Sequence, residues 1–228
     1  TFGIFGSPVA AMATYVFLFI IFGAYIEKCK TGMLIQRVGL KATGKSPGGP
    51  AKVAVVTSAS FGTISGSALA NVMATGAVTI PLMKRIGFRK EDAGGIEAAA
   101  SSGGQLTPPI MGAVAFVMSD ITGIPYADII VAAAVPALLF YVSLFVAIDL
   151  TARRDNMQGV PDEMMPKRGE IMQLAHMVLP IVTLVVALVS GYSPMMSALV
   201  GIATAIVVSS LRAETRLSLP EILGCLHT

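Results

Sequence analysis

The sequence predicts an all-α polytopic membrane protein. Hydrophobic residues make up 54% of the 228 residues and charged residues only 13%, whereas a soluble domain carries roughly 25% charged residues. The mean hydropathy is +0.77. The apolar runs are interrupted by Gly, Ser, Thr and Pro, and most basic residues lie between the runs. These observations favour full transmembrane helices together with helices that break inside the bilayer.

The N-terminal part predicts one span followed by a segment that enters and leaves the membrane on the same side. Residues 9–26 are apolar and just long enough to cross a bilayer. The linker 27–52 contains six basic residues and one acid, and residues 84–90 contain four basic residues. An excess of Lys and Arg marks cytoplasmic loops, so we expect both stretches to be cytoplasmic. Residues 53–83 must therefore return to the side from which they start.

The length of residues 53–83 favours a re-entrant helical hairpin over two full spans. Allowing for a turn, each arm would be roughly 20 Å long, which is short of the ~30 Å hydrocarbon core. Small and hydroxyl-bearing residues at 62–71 offer a place for the chain to turn. Irregular backbone at this depth is tolerated only where it is buried in protein or lines a wet cavity.

The rest of the chain follows an alternating topology. Residues 93–118 form one predicted span, broken by two consecutive prolines, which cannot donate hydrogen bonds within a helix. Residues 129–150 form the next span. The basic loop 151–173 is predicted to be cytoplasmic, and two further apolar stretches, 174–190 and 195–211, are predicted spans.

The predicted hairpin tip, residues 65–71, carries candidate ligands. Oxygen atoms of Ser65, Ser67 and Asn71, with carbonyls at the end of the first arm, form a set suited to Na⁺, and free amides at the start of the second arm, after Gly66, suit a carboxylate. The alternative is a close helix crossing, because Gly62 and Gly66 form a GxxxG pattern. An asparagine inside a bilayer is costly without a partner, which favours the binding site.

The predicted break, residues 103–109, is the second candidate element. Its ligands would be the side chains and freed carbonyls of Gly104, Gln105, Thr107, Pro108 and Pro109. The alternative is a proline kink that serves only helix packing. Two breaks in neighbouring segments favour a shared binding role.

Other polar residues nearby leave alternatives open. The hydroxyls of Thr75, Thr79, Ser101 and Ser102 could line the same cavity or bond back to their own helices. Glu97 is the most deeply placed acid and could couple to protons or a cation. We interpret it instead as an interfacial residue in the first turns after the basic cluster.

Two functional classes remain after the motifs are weighed. The sequence has no HExxH or GxSxG motif and no paired intramembrane carboxylates, so we expect no enzyme, no cofactor apart from a coupling ion, and no nucleic acid partner. The pattern GxxxxGKS at 39–46 lacks the strand and nucleotide domain that a phosphate loop needs. The first class is a secondary transporter of small carboxylates, and the second is a non-transporting membrane scaffold or passive pore subunit.

Three motifs resemble one family. Residues 61–76, 79–88 and 103–116 are similar to the large membrane subunit of tripartite ATP-independent periplasmic (TRAP) transporters, closest to the fused-permease branch that works with a TAXI-type periplasmic binding protein. The resemblance implies an elevator-type, Na⁺-coupled importer of organic acids in the bacterial inner membrane. It also implies that Ser65, Gly66, Ser67 and Asn71 form the hairpin tip and that Gln105, Pro108 and Pro109 form the facing break.

The family builds its site from two inverted repeats, each with a hairpin and a break. No second Ser-Gly-Ser-x-x-x-Asn pattern follows Asp149. We therefore expect this chain to carry one inverted repeat and half of a site, with the other half beyond Thr228.

Overall fold

The computed structural model describes residues 16–211 together with Gly6, Val9 and Ala13, so the first predicted span lies partly outside the described residues. All regular structure within these residues is helical, which confirms the all-α prediction for them. The α-helices in chain order are α1 Phe17–Lys28, α2 Thr31–Thr43, α3 Gly49–Ser65, α4 Ala68–Arg85, α5 Lys90–Gly103, α6 Ala113–Thr122, α7 Tyr126–Arg154, α8 Arg168–Leu174, α9 Leu179–Val189 and α10 Pro194–Ser210. Short 3₁₀ turns lie at Gly104–Leu106, Asp162–Met164 and Ala175–Val178.

One compact unit comprises Gly32–Met111 and Ala133–Gln173. Its core is built mainly from small side chains, which allow helices to approach closely. The buried residues of this core are Ala51, Ala54, Val55, Met83, Phe88, Ala93, Ala100 and Ile148. Helices α3, α4 and α5 pack against one another in this unit, so the predicted tip and break belong to the same packed body.

The basic linker 27–52 is largely helical, since it contains α2 and the start of α3. Its last basic residue, Lys52, is only 2% exposed. Lys52 forms an ion pair with Asp149 of α7, and Asp149 also accepts a 2.7 Å hydrogen bond from Arg153. Lys52 therefore lies in α3 as a buried, paired charge and not in an open loop, because a buried charge persists only when it is paired.

The second unit comprises the described residues of 1–31, 112–132 and 174–228. In it α10 packs against α1 and α9. A side chain at Gly201 would lie 2.8 Å from the ring of Phe22, so glycine is required for this close approach. An aromatic stack supports the same unit: ring centroids lie 5.1 Å apart for Phe19 and Phe116, and 4.3 Å apart for Phe116 and Tyr126.

Among the residues that the structure describes, two largely helical stretches have the length and apolar composition of a membrane span. They are Tyr126–Arg154, with 29 residues, and Asp162–Val189, with 28 residues. Only 11% of the most apolar window of α7 is buried. Exposed apolar side chains along α7 include Val131, Val135, Leu138, Leu139, Val142, Val146 and Leu150. Such a large exposed apolar surface is typical of a helix that faces lipid.

Candidate functional site

The predicted hairpin consists of α3 and α4, joined by a tight turn at Gly66 and Ser67. Gly66 ends α3 in the left-handed region with φ 59°, and its N–H donates to the Gly62 carbonyl at 3.1 Å. Ser67 caps the N-terminus of α4, where its hydroxyl accepts from the Ala70 N–H at 3.3 Å. The turn thus places a helix C-terminus beside a helix N-terminus, whose dipoles favour a cation and an anion respectively.

The arms of this hairpin are longer than the sequence suggested. Helix α3 has 17 residues and α4 has 18 residues, so each arm is about 26 Å long rather than 20 Å. Both helices extend beyond 53–83 because Gly49 and Pro50 start α3 and the basic residues Lys84 and Arg85 end α4. Arm length alone therefore gives less support to re-entrance than we expected.

The hairpin tip lies against the break. A Cβ at Gly62 would come 2.3 Å from the Cα of Gly104, and a Cβ at Gly66 would come 2.0 Å from the carbonyl oxygen of Met111. Both distances exclude any side chain at these glycines. The close-crossing interpretation of the GxxxG pattern therefore describes a real contact, and this contact is what joins the two candidate elements.

The polar groups of the tip and break differ in exposure. Ser65, Gly66 and Ser67 are half-buried, and within the described residues the Ser65 hydroxyl forms only 3.4 Å contacts with the Ser67 backbone. In the break, Gly104 is buried and Gln105 is exposed. The half-buried residues of the break are Thr107, Pro108 and Pro109, and the Thr107 hydroxyl donates to the Gly103 carbonyl at 2.9 Å.

Asn71 lies inside the hairpin and has no exposed surface. Its side-chain amide donates to the Ser58 carbonyl of α3 at 2.8 Å, which ties the two arms together. The Thr75 hydroxyl lies 2.7 Å from the Asn71 carbonyl and 3.3 Å from Asn71 Oδ1. The predicted need of Asn71 for a partner is therefore met within the protein.

Glu97 is fully buried, so its interpretation as an interfacial residue is wrong. Its carboxylate accepts hydrogen bonds from four hydroxyl groups. Ser58 and Ser101 lie 3.0 and 3.3 Å from Oε1, Thr75 also donates to Oε1, and Thr79 donates to Oε2. We call these five residues the carboxylate cluster. The cluster occupies the interior of the unit between α3, α4 and α5, where small neighbours such as Gly76 leave room for the carboxyl group.

The structure thus separates the predicted site residues into two groups. The tip and the break lie together, whereas Thr75 points into the carboxylate cluster. Ser102 is exposed and bonds back to Ala98 of its own helix at 2.8 Å. Nothing in the sequence around Ser58 identified it as a candidate site residue. The i, i+4 spacing of Thr75 with Thr79 and of Glu97 with Ser101 would have indicated two polar helix faces.

The donor set is poor in metal ligands. Among the residues that the structure describes, no group of three or more His, Cys, Asp or Glu side chains could hold a metal ion. The tip instead offers hydroxyl and carbonyl oxygens, which suit hard monovalent or divalent cations rather than transition metals.

These features define a class of protein. In the part of the chain that the structure describes, helices with exposed apolar faces occur together with a helical hairpin and a facing break, which is typical of a membrane transport protein. The chain belongs to the family described as "Tripartite ATP-independent periplasmic transporter, DctM component", which residues 4–228 match. It is therefore part of a TRAP large permease component.

Curated relatives agree with this assignment. The chain is 32% identical over 143 residues to the "C4-dicarboxylate TRAP transporter large permease protein DctM" of Vibrio cholerae, covering 63% of this chain and 31% of the relative. It is 30% identical over 146 residues to the protein of the same name from Pseudomonas aeruginosa, covering 63% and 33%. It is also 29% identical over 171 residues to the "Uncharacterized protein y4mL" of Sinorhizobium fredii, covering 75% and 40%. The chain thus spans about a third of the length of the curated relatives that it matches.

Proposed function

We propose that the full-length permease containing this chain is a Na⁺-coupled secondary importer of small carboxylates, with C4-dicarboxylates as the first candidates. The names of two relatives, both C4-dicarboxylate TRAP transporter permease proteins, support this substrate class. The choice of Na⁺ as the coupling ion is based on the oxygens of Ser65 and Ser67 and on the carbonyls at the end of α3, which would bind it. Asn71 would stabilise the ion site by holding the two arms together, because its side-chain amide already donates to the Ser58 carbonyl.

The contact between tip and break is the observation that carries this proposal. Gly62 and Gly66 bring the turn of one broken segment against the break of another, while Ser65, Ser67 and Gln105 keep exposed surface. A substrate carboxylate would meet the first amides of α4, and a cation would meet the carbonyl end of α3. A packing kink alone would not need two broken segments that meet at their breaks.

The mechanism and partners belong to the same proposal. Gly62, near the end of α3, contacts the break at Gly104, inside the predicted span 93–118, and we propose on this basis that the hairpin is a re-entrant element within one inverted repeat of an elevator-type transporter. The other half of the site would come from a second repeat. We further propose a periplasmic binding protein of TAXI type as the partner, the fused-permease branch, the bacterial inner membrane as the location, and no enzyme activity or bound cofactor apart from Na⁺.

Ser65→Ala is the sharpest test of the ion site. The full-length permease is reconstituted in proteoliposomes with its binding protein, and uptake of radiolabelled succinate is measured against Na⁺ concentration. Losing one oxygen ligand costs about 1–3 kcal/mol, so the Na⁺ concentration for half-maximal uptake should rise roughly five- to hundred-fold. The control is Ser102→Ala, which removes an exposed hydroxyl that bonds only within α5.

An unchanged Na⁺ dependence in a well-folded Ser65→Ala permease would remove Ser65 from the ion site. The same assay separates a transporter from a passive pore or a scaffold. An importer accumulates succinate above its outside concentration only while a cation gradient is present, whereas a pore equilibrates it and a scaffold moves none.

A further inference from the structure

We propose that Glu97 is a proton-binding site within the hairpin unit and that its protonation state is passed to Asn71 at the tip. This inference deepens the proposed transport function, on which it rests, by adding a second coupling ion. It concerns the carboxylate cluster, which lies behind the tip and holds none of the hydroxyls proposed to bind Na⁺. An ionisable residue inside a membrane protein is by default a candidate functional residue.

The environment of Glu97 contains hydroxyl groups but no countercharge. Its side chain has no exposed surface, and among the described residues it forms no ion pair. A buried carboxylate without a cation is costly, and taking up a proton removes that cost. The hydroxyls contact the carboxylate directly, at 3.0 Å for Ser58 and 3.3 Å for Ser101. A proton is therefore the ion that the cluster can accept without moving these groups apart.

The titratable and charged groups on the packed helices have other positions or partners. Lys52 of α3 pairs with Asp149 of α7, and the Tyr141 hydroxyl of α7 donates to the Ala100 carbonyl at 3.0 Å. Lys84 and Arg85 at the end of α4 are exposed. At the start of α5, Lys90 pairs with Glu91, and Asp92 pairs with Arg89. None of these groups is hydrogen-bonded or ion-paired to Glu97. No neighbouring charge therefore directly offsets the change in charge when Glu97 gains or loses a proton.

The two threonines of the cluster can serve both protonation states. Each has one hydroxyl proton and at least two acceptors within reach. Thr75 can donate to Glu97 or to the Asn71 carbonyl at 2.7 Å, and Thr79 can donate to Glu97 or to the Thr75 carbonyl at 3.0 Å. When Glu97 is ionised, both hydroxyls donate to the carboxylate. When it is protonated, its O–H donates to one of them and that hydroxyl turns to its backbone acceptor.

This switch connects Glu97 with the tip. The Thr75 hydroxyl donates to Glu97 or to the Asn71 carbonyl, depending on whether Glu97 is ionised or protonated. The Asn71 side chain in turn ties α4 to the Ser58 carbonyl of α3. A Cβ built at Gly104 would lie 3.1 Å from the side-chain amide of Asn71, so Asn71 lies against the break. The hydrogen bonds between the two arms and next to the break therefore depend on whether Glu97 carries a proton.

A cavity beside α4 borders the cluster at Thr79, whose own side chain is buried. It has a volume of about 310 Å³, it is partly open, and its wall includes Gln36, Thr79 and the exposed Arg85. Thr79 thus lies between the cavity and Glu97 Oε2. A proton from hydronium in this cavity is added to the carboxylate to give the neutral acid, and it returns to water when the acid ionises; no other covalent bond changes.

Glu97→Gln tests the proposal because glutamine keeps the shape of the neutral acid but cannot titrate. Full-length permease is reconstituted with its binding protein, and succinate uptake is measured from about pH 5 to about pH 9 at a fixed Na⁺ gradient. We expect uptake by the parent to vary with pH and to rise with an inward proton gradient. Both effects should disappear in Glu97→Gln and persist in Glu91→Gln, an exposed acid of the same helix.

A parent without pH dependence, or a Glu97→Gln permease that keeps the parent's pH profile, would overturn the proposal. If Glu97→Gln does not fold, Thr79→Val decides instead. It removes one donor to the ionised carboxylate, so the pH midpoint of uptake should move to higher pH, and an unmoved midpoint counts against the proposal.

Infrared spectroscopy of the purified permease separates this proposal from the transport function. The difference spectrum between the parent and Glu97→Gln should contain a carbonyl band of one protonated carboxylic acid that grows as the pH falls, and the titration of this band should shift in Thr79→Val. This result is expected even if succinate is not the substrate. Absence of any such band across the titration would overturn the proton site, whatever the uptake assays give.

Discussion

The hairpin tip and the carboxylate cluster belong to the same helices but use polar residues in opposite ways. At the tip, glycines at 62 and 66 make the close contacts while the Ser65 hydroxyl has only weak partners. In the cluster, Glu97 is surrounded by four hydroxyl donors and no water-accessible surface remains. The contrast separates a region whose oxygens keep exposed surface from one whose oxygens are hydrogen-bonded to one another inside the unit.

The largest effect is expected at Gly66. Gly66→Ala forces a Cβ to within 2.0 Å of the Met111 carbonyl oxygen and places alanine at φ 59°. We expect the variant to lose its well-folded state and its transport activity, measured by the yield of monodisperse protein in detergent and by its melting temperature.

Gly123→Ala is the matched control for that prediction. Gly123 has a similar φ of 70°, but nothing lies within 4 Å of its Cβ position. Gly123→Ala should be destabilised only by placing alanine in the left-handed region, which costs about 1–2 kcal/mol. Equal losses in the two variants would mean that the contact between tip and break contributes nothing.

A smaller effect is expected at Asn71, where stability and transport should fall together. Asn71→Ala leaves the buried Ser58 carbonyl without its 2.8 Å partner, which costs about 1–3 kcal/mol of the free energy of unfolding. Thermal unfolding in detergent measures this loss. Ser65→Ala should weaken Na⁺ dependence with little change in melting temperature. If Asn71→Ala leaves the melting temperature unchanged, its inter-arm hydrogen bond is not part of the scaffold.

The sequence predicts best those features that depend on local composition. Apolar runs and basic loops predict an all-α membrane protein, and the Gly and Ser residues around Gly66 predict a turn where the structure has one. The broken segment around Pro108 is also readable locally, because proline interrupts a helix whatever its neighbours.

Features that depend on partners far apart in the chain could not be read in this way. Lys52 counts as a loop charge until Asp149, 97 positions later, is found beside it. Glu97 resembles an interfacial acid until Ser58 and Thr79 from other helices surround it. The i, i+4 pairs Thr75–Thr79 and Glu97–Ser101 are the signal that sequence reasoning can use, since they mark buried polar helix faces.

Ligand protection of a cysteine at the tip tests the central claim most directly. Ala68 is half-buried at the first position of α4, and Cys29 and Cys225 are replaced beforehand to remove background. In the full-length permease, we expect Ala68→Cys to react with a water-soluble maleimide and to react several-fold more slowly when Na⁺ and succinate are present. Lys41→Cys, on the exposed face of α2, should react at the same rate in both conditions. An Ala68→Cys permease that still transports, yet reacts equally fast with and without both ligands, would contradict a binding site at the hairpin tip.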